Sequence, residues 1–307
     1  MSAARISRLY AGIAALALLF QGSVLAAQSP APAPAQTTPA VAGPALWKVA
    51  DEDTTVYLFG TVHALPKDVE WFGGPLAQAL AQSQSLVTEI PPGVLSEPGV
   101  QQKFLAAAQL PAGQSLRGLL TAEQKGKYEA AMTKLGLPVA AFDTFEPWFA
   151  ALTMGSIPMM KAGYSMEAGV EQAIESKAAA ATKRDALETV DGQLALFDGL
   201  PQSAQIEYLL AVMEQIDTVL PTMNAMVTAW SKGDAERLAA LMNESMDNPA
   251  IADRLLYARN RDWAKWVAKR LDQPGTVFVA VGAGHLAGTN SVQDYLAKAG
   301  TRVVRVQ

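Results

Sequence analysis

Two apolar, β-rich runs lie at opposite ends of this sequence: Val56-Tyr57-Leu58-Phe59 near the beginning and Thr276-Val277-Phe278-Val279-Ala280-Val281 near the end. Each reads as a strand of a sheet. Strands of that kind need neighbours, so the two ends of the chain must meet in one sheet, and all that lies between must leave it and return. Around the first run, Leu46 to Ala50 reads as a hairpin partner across Asp51-Glu52-Asp53. A helix over 75–83 and a strand Ser85 to Ile90 follow, the strand stopped by Pro91-Pro92. Strand, helix, strand favours a parallel pair. The second run leads into a helix over 289–299 and a last strand over 302–306.

Between about 94 and 272 the apolar residues recur at helical spacing, with breaks expected at Pro111, Pro138, Pro147, Pro158, Pro201, Pro221 and Pro249. One short stretch, Ala186 to Val190, is a candidate strand returning to the sheet. The expected class is therefore α/β, with a mixed, mostly parallel sheet and a large central helical insertion or cap.

Residues 1–26 have the pattern of a cleavable signal peptide: Arg5 and Arg8, an apolar run from Leu9 to Phe20 too short to span a bilayer, then Val24-Leu25-Ala26. Residues 27–44 are rich in Ala, Pro and Thr, without charge, and read as a disordered tether ahead of a folded domain over 45–307. The chain is then expected in the periplasm or secreted, with no membrane span after cleavage. Its formal charge of −5 becomes more negative once the two leader arginines are gone, which argues against nucleic acid or anionic membrane as partner. Cysteine is absent, which rules out disulfides, thiol catalysis and zinc–thiolate sites.

The chain has 2 histidines, and both follow a glycine by three residues, directly after a predicted strand: Gly60-Thr61-Val62-His63 and Gly282-Ala283-Gly284-His285. With glycine at about 7% of ordinary sequence, chance gives this pairing about once in 200 chains. Open α/β sheets place their ligand sites at the carboxyl ends of strands, where glycine lets the backbone turn or approach closely. Two imidazoles delivered to that rim suit one metal ion or one substrate. A catalytic metal needs a third protein ligand, and Glu89, at the end of the strand ending near Ile90, is the candidate. Its bland reading is a strand-end carboxylate facing water. A His₂-carboxylate set suits Zn²⁺, Mn²⁺, Co²⁺ or Fe²⁺ by ligand type. Glu167 and Glu171, four apart, read either as a cation-holding pair on one helical face or as exposed charges. Met154, Met159, Met160, Met213, Met223, Met226, Trp230, Trp263 and Trp266 read as core filler, or as the lining of an apolar groove.

The stretches Leu46 to His63, Leu86 to Pro91, Gly163 to Pro201 with Leu187-Glu188-Thr189 and Gln193, Arg259-Asn260-Arg261, and Val279 to His285 together resemble the TraB/GumN family, which includes the Tiki proteins. The hallmark of that family is a pair of Gly-x-x-His motifs with a glutamate between them, matched by His63, Glu89 and His285. The resemblance extends to erythromycin esterase-like and ChaN-like proteins and implies a three-layer α/β fold with helical insertions. It implies a metal-dependent protease using Mn²⁺ or Co²⁺, as Tiki members are, and a peptide or protein substrate. It also marks Glu188 and Arg259 as recurring positions that face or brace the site. On this reading His63, Glu89 and His285 hold a divalent ion (Mn, Co or Zn), Arg259 stabilises an oxyanion, and Glu89 is either ligand or general base. The rival expectations are a binding protein for metal, haem or peptide, and an accessory protein of envelope polysaccharide export.

Overall fold

The computed structural model describes residues 43–243 and 249–307. The expected signal peptide and the tether as far as residue 42 lie outside the described residues. Six strands form one sheet: β1 (Leu46–Ala50), β2 (Thr54–Thr61), β3 (Ser85–Thr88), β4 (Lys183–Ala186), β5 (Gly275–Gly282) and β6 (Val303–Arg305), in the order β4-β3-β5-β2-β1-β6. β4, β3, β5 and β2 run parallel to one another, and β1 pairs antiparallel with both β2 and β6. The first and last strand units do meet. The expected parallel pair of β2 and β3 is opened, however, and β5 lies between them, bonded to both.

The unbroken apolar runs are explained by burial on both faces. Phe59, Leu86, Phe278 and Ala280 point into a core with the helices Gly74–Gln82, Val170–Lys177, Val219–Ser231 and Ala235–Asn243. Val56, Leu58, Val87, Val277, Val279 and Val281 point the other way, against the helices Ala258–Arg270 and Val292–Lys298. The result is three layers, helix–sheet–helix, and each fully buried Phe or Val contributes on the order of 1.5–3 kcal/mol. Part of the helical block has a core of its own: Phe104, Tyr128, Met132, Trp148, Leu152, Leu209 and Val212, from the helices Pro98–Ala107, Ala122–Leu135, Pro147–Lys161 and Gln202–Gln215. Of the Met and Trp residues, Met154, Met213, Met226, Trp230 and Trp263 are buried in these cores, while Met160 is exposed. No helix among the described residues is long and apolar enough to cross a membrane.

Three expectations need correction. The returning strand is Lys183–Ala186, not 186–190, because a polar edge strand is held by ladder bonds to β3 rather than by apolar burial. Leu187 and Glu188 still donate backbone N–H bonds to Thr88 and Glu89, and Thr189 then caps the helix Val190–Asp198. Pro158 lies inside the helix Pro147–Lys161, and Pro221 sits in the first turn of Val219–Ser231, where its missing N–H is not needed. Glu167 and Glu171 do not share a helical face, since the helix begins only at Val170 and leaves Glu167 exposed.

Candidate functional site

Four parallel strands end side by side, and each delivers one polar side chain to the same rim. His63 follows β2 by two residues, Glu89 follows β3 by one, Glu188 follows β4 by two, and His285 sits in the single turn Ala283–Leu286 after β5. The register fixes this alignment, because Thr61 lies beside Gly282 and Thr88 beside Ala280. Five of the side chains singled out in the sequence, Arg259 included, are brought together here, and Glu167 is left out.

The two motif glycines have steric reasons. A side chain at Gly60 would meet Ala283 Cα at 2.9 Å, so the bare backbone lets the His285 turn settle onto the end of β2. A Cβ on Gly282 would stand 3.0 Å from Glu89 Oε1, 3.5 Å from His285 Cδ2 and 3.6 Å from His63 Nε2. Gly282 is thus the point around which the carboxylate and both imidazoles converge. Its own N–H donates to Glu89 Oε1 at 2.7 Å.

Arg259, on the helix Ala258–Arg270, binds the acidic side of the site. Its Nε and Nη2 donate to Glu188 at 2.7 and 3.0 Å, and Nη2 also donates to Glu89 Oε2 at 2.5 Å. Gln193 Nε2 donates to that same Oε2 at 3.0 Å. Immediately before this helix the chain makes a π-helical turn, Asp253–Tyr257, and Arg259 Nη1 donates to the Leu255 carbonyl within it. Such turns recur at functional sites. The guanidinium stacks over Trp263, four residues on.

His285 is held at both nitrogens. Asn290 offers Asn260 a carbonyl oxygen, which can only accept, so the Asn260 amide N faces it at 2.7 Å and Asn260 Oδ1 faces His285 Nδ1 at 2.5 Å. The proton therefore sits on Nδ1, and Nε2 presents a lone pair, 3.0 Å from Arg259 Nη1. Burial and the adjacent guanidinium lower this imidazole's pKa to about 3, so it is neutral. His63 is the opposite case. Burial disfavours its charge, but the Glu171 carboxylate, 2.6 Å from Nδ1, outweighs this and raises the pKa to about 9. Burial pushes the Glu89 carboxyl up, and Arg259, the imidazoles and the Gly282 N–H outweigh it, holding the group well below the ordinary carboxylate range.

The donor types around Gly282 suit a divalent ion: two imidazoles, each tied at Nδ1 by a hydrogen-bond acceptor, and one carboxylate. They do not form a closed ligand shell in this conformation. Among the described residues no three His, Asp or Glu side chains stand close enough to hold one ion, and Arg259 lies against both Glu89 and His285 Nε2.

Three further contributors have no site role in the sequence alone: Glu171, which there pairs with the exposed Glu167, and Gln193 and Asn260, which enter only through the family resemblance. The Arg259–Trp263 stack is legible in hindsight from its spacing of one helical turn.

The architecture and the paired Gly-x-x-His rim define an α/β protein with a polar site at the carboxyl edge of its parallel strands. The sequence model of the TraB/PrgY/gumN family matches residues 45–305, nearly the whole folded chain, and the protein belongs to that family. No curated protein and no solved structure matches it.

Proposed function

We propose that the chain is an exported, metal-dependent hydrolase acting on peptide bonds, with a divalent ion held by His63, Glu89 and His285. The observation that carries this reading is the convergence of the three side chains on Gly282, with the Nδ1 of each imidazole tied back, His63 Nε2 facing the site and His285 Nε2 against Arg259. Ligating histidines are oriented in this way by a second shell of acceptors. Three carboxylates, Glu89, Glu171 and Glu188, surround the site, an excess of negative charge suited to a cation. A bound Mn²⁺, Co²⁺ or Zn²⁺ would supply polarisation of the scissile carbonyl and a water activated near neutral pH.

The chain's own residues do the rest. Asn260 keeps the proton of His285 on Nδ1, and Glu171 holds that of His63. Gln193 and Gly282 fix the two oxygens of Glu89. For His285 Nε2 to become a ligand, Arg259 must leave it while keeping its fork on Glu188. Its charge then stands beside the site, where an anionic oxygen develops during carbonyl addition.

The position of Arg259 favours a second reading, in which no metal binds and His63, oriented by Glu171, takes the proton of the attacking water at alkaline pH, where the ring has lost its own charge. Elemental analysis of protein purified without chelator, beside its His63→Ala and His285→Ala variants, separates the two. Near-stoichiometric metal in the parent, lost in both variants, supports the first. Absence of metal after reconstitution overturns it and leaves the second, to be tested by metal-independent peptide cleavage.

A further inference from the structure

Glu171 lies outside the strand-end set, yet it reaches the site through a tightly built corner. Gly169 packs so closely on the loop after β2 that a Cβ there would stand 2.2 Å from the His63 carbonyl oxygen. Val170 N–H bonds the Val62 carbonyl at 3.0 Å, and Leu65 and Ser165 exchange backbone bonds at 3.2 and 3.1 Å. The helix Val170–Lys177 is thereby docked with its first turn against His63. There Glu171 Oε1 receives His63 Nδ1 at 2.6 Å and the Thr61 hydroxyl at 2.5 Å. Thr61, the last residue of β2, is buried, so the carboxylate is anchored to the sheet as well as to its own helix.

We infer that Glu171 is the positioning residue of His63, fixing the imidazole proton on Nδ1 and presenting Nε2 to the point occupied by Gly282, Glu89 and His285. A carboxylate accepts but cannot donate, so the ring nitrogen facing it must carry hydrogen. This is the arrangement that sets tautomer and ring angle in carboxylate–histidine pairs. The inference rests on reading His63 as a site residue, but not on a metal being bound. It pairs with His285, whose Nδ1 is held by Asn260 instead.

The chain's 2 histidines make the test direct. Long-range ¹H–¹⁵N spectra of the metal-free protein contain two imidazole patterns, assigned with the His63→Ala variant and recorded above the pH at which His63 loses its charge. The parent should show both rings as the Nδ1–H tautomer. In Glu171→Ala, His63 should shift to the Nε2–H tautomer that an unrestrained imidazole prefers, while His285 is unchanged and reports an intact fold. In Glu171→Gln, whose amide oxygen still accepts, His63 should keep Nδ1–H. Retention of Nδ1–H in a folded Glu171→Ala protein overturns the inference. If that variant does not fold, a lost Nδ1–H pattern in Glu171→Gln overturns it equally. Failure of the metal reading shows in elemental analysis and leaves this result untouched.

Discussion

Replacing Arg259 by Met retains most of the side chain's length and its apolar contact with Trp263 but removes the guanidinium that holds Glu89 and Glu188. The side chains of Arg259, Glu89 and Glu188 are only 11%, 10% and 17% exposed, so the carboxylates cannot recover full hydration when their partner goes. Breaking a buried pair of this kind costs about 3–5 kcal/mol. At about 2 °C per kcal/mol for a large domain, this corresponds to a fall in Tm of roughly 6–10 °C near pH 7. The sign of the pH dependence follows from Glu89. In the parent its pKa is depressed, so the associated stability is present above the ordinary carboxylate range and is lost as pH falls through the lower folded value. In the variant, burial acts without the guanidinium and raises the pKa, so acidification relieves the unpaired charge. The two stability curves must therefore draw closer as pH falls below the variant's raised carboxyl pKa. Thermal melts followed by tryptophan fluorescence between pH 7 and 4.5 measure the gap directly. A gap that is constant with pH, or under about 1 kcal/mol at pH 7, refutes the claim that this network is electrostatically coupled and water-excluded.

Two glycine substitutions separate site from scaffold. Gly282 has φ −47°, which alanine adopts freely, so Gly282→Ala introduces only a methyl 3.0 Å from Glu89 Oε1 and close to both imidazoles. It should cost about 1–3 kcal/mol in stability and lose bound metal, and normal metal content by elemental analysis would contradict convergence on this point. Gly169→Ala places its methyl 2.2 Å from the His63 carbonyl oxygen and 2.7 Å from that of Met166, both backbone atoms that cannot rotate away. Its cost should reach about 3 kcal/mol or more and exceed that of Gly282→Ala in the same melts; a change within about 0.5 kcal/mol would show that the corner yields freely.

The legible part of the fold is the part decided by burial. β2 and β5 are apolar at successive positions because helices cover both faces, and that pattern places them in a sheet interior without further information. β4 escapes the same logic. Lys183-Arg184-Asp185-Ala186 is partly exposed at the sheet edge, and what makes it a strand is its backbone pairing with β3, which leaves no mark on side-chain hydrophobicity. Among the proline breaks only those at Pro158 and Pro221 fail, the second for a related reason. Pro221 offends no hydrogen bond in a first turn, and whether a proline falls in a first turn depends on where the preceding residue caps the helix.

The site divides along the same line, and the strand order explains why. Along the chain the parallel strands come as β2, β3, β4 and β5, but in space β5 enters between β2 and β3. Its insertion puts Gly282 and His285 between His63 and Glu89, so that residues far apart in sequence become neighbours around one glycine. Equal spacing after two strands is a local signal, and it discloses both histidines and the rim on which they lie. The helix-borne residues that tune them have no such signal. Asn260 and Arg259 reach His285 from the helix that follows a π-helical turn, and Glu171 reaches His63 from the helix that docks closely at Gly169. Strand-end chemistry follows from register, whereas the protonation of each imidazole is set by the helical layer packed beside it. The two histidines therefore share a motif while their pKa values are pushed in opposite directions, down by burial and Arg259 for His285 and up by Glu171 for His63.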